Sequence, residues 1–118
     1  MNKKRILVVD DDSDVILSMK AILEKNGHEV ETARSENECM EKYAFFNPDI
    51  IFLDMMMEHM DSGFRVCKGI RESDRSVKIY MLSSVGSDNA GTTDVHEVGF
   101  NGSMEKPVSP EYLLQMVD

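Results

Sequence analysis

The stretch ILVVDDDSDV, residues 6–15, runs four apolar residues straight into three consecutive aspartates, with Asp14 close behind. A short run rich in β-branched residues suits a buried strand. Carboxylates this close repel one another, and the apolar run beside them sharpens the penalty. Asp12 and Ser13 have a plain explanation as helix N-caps after the strand. Asp10 and Asp11 do not, and they ask for a neutralising partner.

Working outward, strand and helix signals alternate. Ser13–Asn26 carries a helical stripe at Ile16, Met19, Ile22 and Leu23, and Gly27 is a natural stop. His28–Ala33 reads as a second strand. Ser35 followed by Glu38 forms a capping box that opens a helix through Phe46, and Pro48 prevents its continuation. DIIFLD, residues 49–54, is a third strand, apolar enough to be covered on both faces. After a loop at 55–62, Gly63–Glu72 is a helix with Phe64, Val66, Cys67 and Ile70 inward. VKIYMLS, residues 77–83, is a fourth strand. A weak helix over 86–98, a short strand at Gly102–Glu105 and a helix after Pro110 complete the pattern. Five such alternations without a repeat or linker predict one α/β domain over residues 1–118, a parallel sheet with helices on both faces.

Composition narrows the function. With 22 acidic against 13 basic residues the net charge is −9, the wrong sign for direct nucleic-acid binding or an anionic membrane surface. No apolar run approaches the roughly 20 residues of a membrane span. The MNKKR start is followed by too short an apolar stretch for an export signal, so a cytoplasmic location is expected. Cys39 and Cys67 fall in predicted helices without a C-x-x-C pair and read as buried reduced thiols.

In an open parallel sheet, ligands bind beyond the carboxyl ends of the strands where strand order reverses. Strand one ends at Asp10, strand three at Asp54, strand four at Ser83, and strand five at Lys106 before Pro107. The polar exceptions therefore gather at one sheet edge. A hard divalent cation keeps such carboxylates ionised, and Mg²⁺ takes one or two carboxylates plus phosphate oxygens and water.

Taken together, ILVVDDD, IIFLDMMMEHMD, MLSS and EKP resemble, in order, the acidic pair, phosphoacceptor strand, hydroxyl position and lysine-proline of bacterial two-component receiver domains. The resemblance covers essentially the whole chain. It implies a flavodoxin-like doubly wound (βα)5 fold, a five-stranded parallel sheet in the order 2-1-3-4-5. It also implies that Asp54 accepts a phosphoryl group from a histidine kinase or phosphotransfer protein in a Mg²⁺-dependent step. Asp11 and Asp54 would hold the Mg²⁺ directly, Asp10 through water, and the Met56 carbonyl would complete the set. Lys106 would pair with Asp54 and then with the phosphoryl oxygens, and Ser83 would bond one of those oxygens, with Ser84 the competing hydroxyl. On this reading the chain is a phosphoacceptor with at most self-dephosphorylation, acting through its 84–118 face on a downstream effector or output domain.

Three features depart from the receiver pattern. Glu58 stands where proline is common and Ser62 where glycine is common, and Glu58 brings a negative charge towards the site. Ser103 stands where an aromatic usually reports phosphorylation, with Phe100 out of register. Residues 86–98 have two glycines and few strong helix formers, which points to switching by ordering or shifting of that segment. His59 reads as a solvated loop residue in preference to a proton carrier. A rival reading takes Asp10 and Asp12 as the D-x-D of a haloacid-dehalogenase-type phosphohydrolase. Against it, 118 residues leave no room for a cap. A pseudo-receiver that is never phosphorylated is a third reading, opposed by the intact Asp11, Asp54 and Lys106.

Overall fold

A computed structural model describes residues 3–84 and 95–118. The strands are β1 (Arg5–Val9), β2 (Glu29–Ala33), β3 (Ile50–Asp54), β4 (Lys78–Ser84) and β5 (Gly102–Lys106). The helices are α1 (Ser13–Lys25), α2 (Glu36–Phe46), α3 (Ser62–Arg71), α4 (Val95–Val98) and α5 (Pro110–Val117). All pairings are parallel and the order is β2-β1-β3-β4-β5, as expected. The order reverses at β1, between β2 and β3. The carboxyl ends of β1 and β3 therefore open onto the crevice where such sheets bind ligands.

Side-chain alternation divides the core. Leu7, Leu53 and Met81 face one way, onto α2 and α3, with Cys39, Cys67 and Ile70. Val8, Phe52 and Leu82 face the other way, onto α1 and α5, with Leu23 and Leu113. All five residues of β3 are buried, which is why its sequence shows no polar alternation. Phe64 is only partly buried, but it packs against the α3 side of the core and meets Phe100 edge-on at 6.0 Å.

The helix ends follow local chemistry. Asp12 caps α1, its carboxylate accepting from the Asp14 amide at 2.9 Å. Ser35 caps α2 by accepting from the Glu38 amide at 3.1 Å. Glu38 reaches back one residue further than a regular capping box, accepting from the Arg34 amide at 2.6 Å. Arg5 holds the far end of α2. It lies 4.3 Å from the Phe46 ring centroid and donates to the Phe46 carbonyl.

Element boundaries differ from the sequence reading by a residue or so. β4 runs on through Ser84, and α3 starts at Ser62 rather than Gly63. The weak helix expected over 86–98 is helical at Val95–Val98, and its earlier part lies outside the described residues. Cys39 and Cys67 are buried and free, and burial pushes their thiols up to about 12 and about 11, so both stay protonated and unreactive.

Candidate functional site

Three strand ends build one charged cluster. Asp10 directly follows β1 and is fully buried, Asp54 closes β3 and is 5% exposed, and Lys106 closes β5. The Lys106 ammonium lies 3.0 Å from Asp10 Oδ2 and 3.3 Å from Asp54 Oδ1, bridging the two carboxylates. Carboxylate oxygens of Asp10, Asp11 and Asp54 all lie within 4.8 Å of one another, with Asp11 on the exposed side. Asp10 Oδ1 accepts from the Asp12 amide at 2.9 Å. Asp54 Oδ1 accepts from Lys106 and, at 3.4 Å, from the Met56 amide. Among the described residues no hydrogen bond falls on Asp54 Oδ2.

Electrostatics explain how a buried acid pair survives here. Burial raises the Asp54 pKa to about 6, and the Asp10 charge adds to the rise. The Lys106 charge and hydrogen bond and the Met56 amide pull the other way. Burial pulls Lys106 down, but its bonds to Asp10 and Asp54 and their charges outweigh that and leave its pKa raised. The lysine is held charged by the acids it neutralises. With one ammonium between them, the carboxylates remain under-neutralised.

The set suits a hard cation. Three closely spaced carboxylates with exposed oxygens at Asp11 match the oxygen donors that Mg²⁺ prefers. Asp12 does not join them, because its side chain is spent on capping α1. That removes half of the D-x-D pair on which the phosphohydrolase reading rests.

A cavity of about 70 Å³ opens beside Asp54, lined by Asp54, Met55, Met56, Ser83 and Ser84. Ser83 is buried and donates to the Met104 carbonyl at 3.5 Å, a long bond that costs little to give up. Ser84 is exposed. Register gives Ser84 a claim of its own: Asp54 pairs with Leu82, and Ser84 shares the Leu82 face and pairs with Lys106. Both hydroxyls therefore border the site. A larger depression of about 400 Å³ lies beside Arg71 and Arg75, where Arg71 is committed to the Gly99 and Asp74 carbonyls and to Asn101.

The loop after Asp54 differs most from its sequence reading. A β-carbon on Gly63 would fall 2.7 Å from the Asp54 carbonyl oxygen and 2.8 Å from Met55 Cα. The demand for glycine therefore falls at Gly63, and Ser62 is free to be a fully buried serine. Glu58 turns its carboxylate to the first amide of α2, Glu36, with both oxygens at 3.2 Å. His59 is exposed and contributes its backbone to the turn through its amide bond to Ser62 Oγ. Ser103 is exposed on β5, and Phe100 is a core residue, 2% exposed. The Glu58 contact joins residues 22 apart in sequence, and no local signal announces it.

Comparisons with known proteins agree with this geometry. The profile of the response regulator receiver domain family matches residues 6–118. The chain is 36% identical over 110 residues to the alkaline phosphatase synthesis transcriptional regulatory protein PhoP of Bacillus subtilis, covering 93% of this chain and 45% of PhoP. It is 34% identical over 116 residues to the chemotaxis protein CheY of the same organism, covering 97% of this chain and 94% of CheY. The chain thus spans about half the length of relatives such as PhoP. The chemotaxis response regulator CheY4 of Vibrio cholerae superposes with a TM-score of 0.86 at 30% identity, covering 98% of this chain and 97% of that one.

Proposed function

The chain belongs to the response regulator receiver family, and from that premise we propose that residues 1–118 form one receiver domain whose phosphoacceptor is Asp54. The observation that carries this reading is the Lys106 bridge between Asp10 and Asp54, with Asp11 beside them. Asp54 Oδ2 attacks the phosphorus of a phosphohistidine on a histidine kinase or phosphotransfer protein. The new O–P bond forms as the P–N bond breaks, and the freed imidazole takes a proton. Little covalent work is asked of the protein, so positioning and charge neutralisation do most of the catalysis.

Asp11 and Asp54 would hold a Mg²⁺ directly, Asp10 through water, and the Met56 carbonyl would complete the protein's share. When bound, the ion supplies positive charge to the carboxylates and to the phosphoryl oxygens. Lys106 holds Asp54 in place and then pairs with the transferred group. Ser83 leaves its long bond to Met104 and donates to a phosphoryl oxygen. The register of Ser84 with Lys106 favours Ser84 as a second candidate for that role, and removing each hydroxyl separately decides between them. The chain is a phosphoacceptor with at most self-dephosphorylation, and the change at Asp54 acts through the 84–118 face on an effector or output domain in the cytoplasm. No described helix is long and apolar enough to cross a membrane.

Incubation with acetyl phosphate and Mg²⁺ tests the reading by intact mass. The wild type should gain one phosphoryl group, and Asp54→Asn or excess chelator should prevent it. No gain in the wild type would favour a pseudo-receiver.

A further inference from the structure

The residues that follow Asp54 are tied at two levels. At the base, the Met55 amide donates to the Leu82 carbonyl at 3.2 Å and the Met55 carbonyl accepts from the Gly63 amide at 2.8 Å. This closes a seven-residue loop, 56–62. Met57 packs part-buried against the core, but at the tip Met60 is 72% exposed and His59 and Glu58 are exposed as well. Glu58 also lacks the ring that would fix a proline backbone at that position.

Beside the Met57 contact and backbone bonds from the Met57 and Ser62 amides to the His59 carbonyl, α2 ties the tip. Glu58 accepts from the Glu36 amide, where the helix dipole favours a carboxylate. Ser62 Oγ donates to Glu36 Oε2 at 2.6 Å while accepting from the His59 amide at 3.0 Å. Arg65 on α3 closes the set, its Nε 3.7 Å from Glu36 Oε1. Ser62 is fully buried, so losing either partner would leave its hydroxyl without a bond that water could replace.

We propose that Glu58, Ser62 and Glu36 are positioning residues for the acceptor loop. Through the α2 N-terminus they hold the Met56 backbone in register with Asp54, and they make Glu36 and Arg65 sense what binds there. The inference rests on the phosphoacceptor reading of Asp54, because it gives the Met56 carbonyl a ligand to meet. None of the three touches the reacting atoms. The unit also couples the site to α2 and α3, the helices on the opposite face of the sheet from α1 and α5.

Titration of the full chain with Mg²⁺ alone, followed by amide NMR shifts, tests it. In the wild type, the Glu36 and Arg65 amides should shift with the same midpoint as Met56. Glu58→Ala should weaken Mg²⁺ binding about five-fold, the effect of one hydrogen bond, and uncouple the Glu36 amide from the titration. Glu58→Gln, which keeps an acceptor oxygen, should restore most of both. The thermal midpoint of Glu58→Ala should stay near that of the wild type, separating positioning from a folding defect. Normal Mg²⁺ binding in Glu58→Ala, or Glu36 and Arg65 amides that ignore Mg²⁺ in a wild type that binds it, would overturn the proposal alone. A wild type that binds no Mg²⁺ would overturn the phosphoacceptor reading along with it.

Discussion

Replacing Asp54 by asparagine should make the protein more stable at pH 7 in the absence of divalent cations. Burial and the Asp10 charge raise the Asp54 pKa from 3.8 to about 6, so ionising it in the folded state costs about two units, or about 3 kcal/mol. The asparagine escapes that cost, which is already net of the Lys106 charge and bond, and its Oδ1 still accepts from the lysine, as a weaker neutral acceptor. With some of the charge shared across the cluster, the net gain should be about 1–2 kcal/mol. The sign fixes the pH window. An acid whose folded pKa is raised favours the fold while protonated, and that support is lost as pH rises from 3.8 through about 6. The advantage of Asp54→Asn should therefore be complete above about pH 6 and shrink towards pH 4. Urea unfolding by circular dichroism, with chelator, across that range is the assay. A variant less stable than wild type at pH 7, or a gap that does not change with pH, would refute the reasoning.

In Lys106→Ala the acids lose their shared counter-charge, so the Asp54 pKa should rise beyond its wild-type value, as carboxyl NMR titration would read; an unmoved titration removes the lysine from the cluster. The Tyr43 hydroxyl donates to Asp74 at 2.6 Å and, with bonds from Ser76 and Val77, holds the Asp74 pKa down to about 2. That support is present above pH 3.8 and lost as pH falls through about 2. Discounted for partial exposure, Asp74→Asn should cost about 1 kcal/mol in urea unfolding at pH 7 and progressively less on acidification. Equal stability at pH 7 would remove Asp74 as a staple. Gly63→Ala drives a methyl into backbone at 2.7 Å and should cost about 2–3 kcal/mol through forced movement of the α3 start; a cost under half a kcal/mol would show that the approach relaxes freely.

The middle of the sheet was legible because β1 and β3 bury both faces, unlike the edge strands β2 and β5. Apolar runs such as IIFL and ILVV are short and rich in β-branched residues, which suits strands covered on both sides, and Ser35, Pro48 and Gly27 punctuate the helices between with local chemistry. Strand order was not legible from those runs, since every central strand looks alike; it came with the family resemblance. Asp10 and Asp54 stand out because each ends an apolar run, a local signal, whereas Lys106 follows GSME and stands out through the lysine-proline of the receiver resemblance. The tie from Glu58 to Glu36 does not stand out, because it depends on how a loop folds back over a helix 22 residues away. The same limit applies to Ser62 and Gly63. Two adjacent small residues are interchangeable in sequence, and only packing against the Asp54 carbonyl decides which must lack a side chain. Ser83 and Ser84 pose the problem again, with burial favouring one and register the other.

The central claim is that Asp54, and no other carboxylate of the acidic cluster, carries the phosphoryl group. An acyl phosphate on aspartate is reduced by borohydride to homoserine, which marks the acceptor permanently. After incubation with acetyl phosphate and Mg²⁺, borohydride treatment and peptide mapping, homoserine should occur at position 54 and be absent when chelator replaces Mg²⁺. Homoserine at position 10, 11 or 12, or none at 54 under conditions where the intact mass shows phosphorylation, would contradict the account.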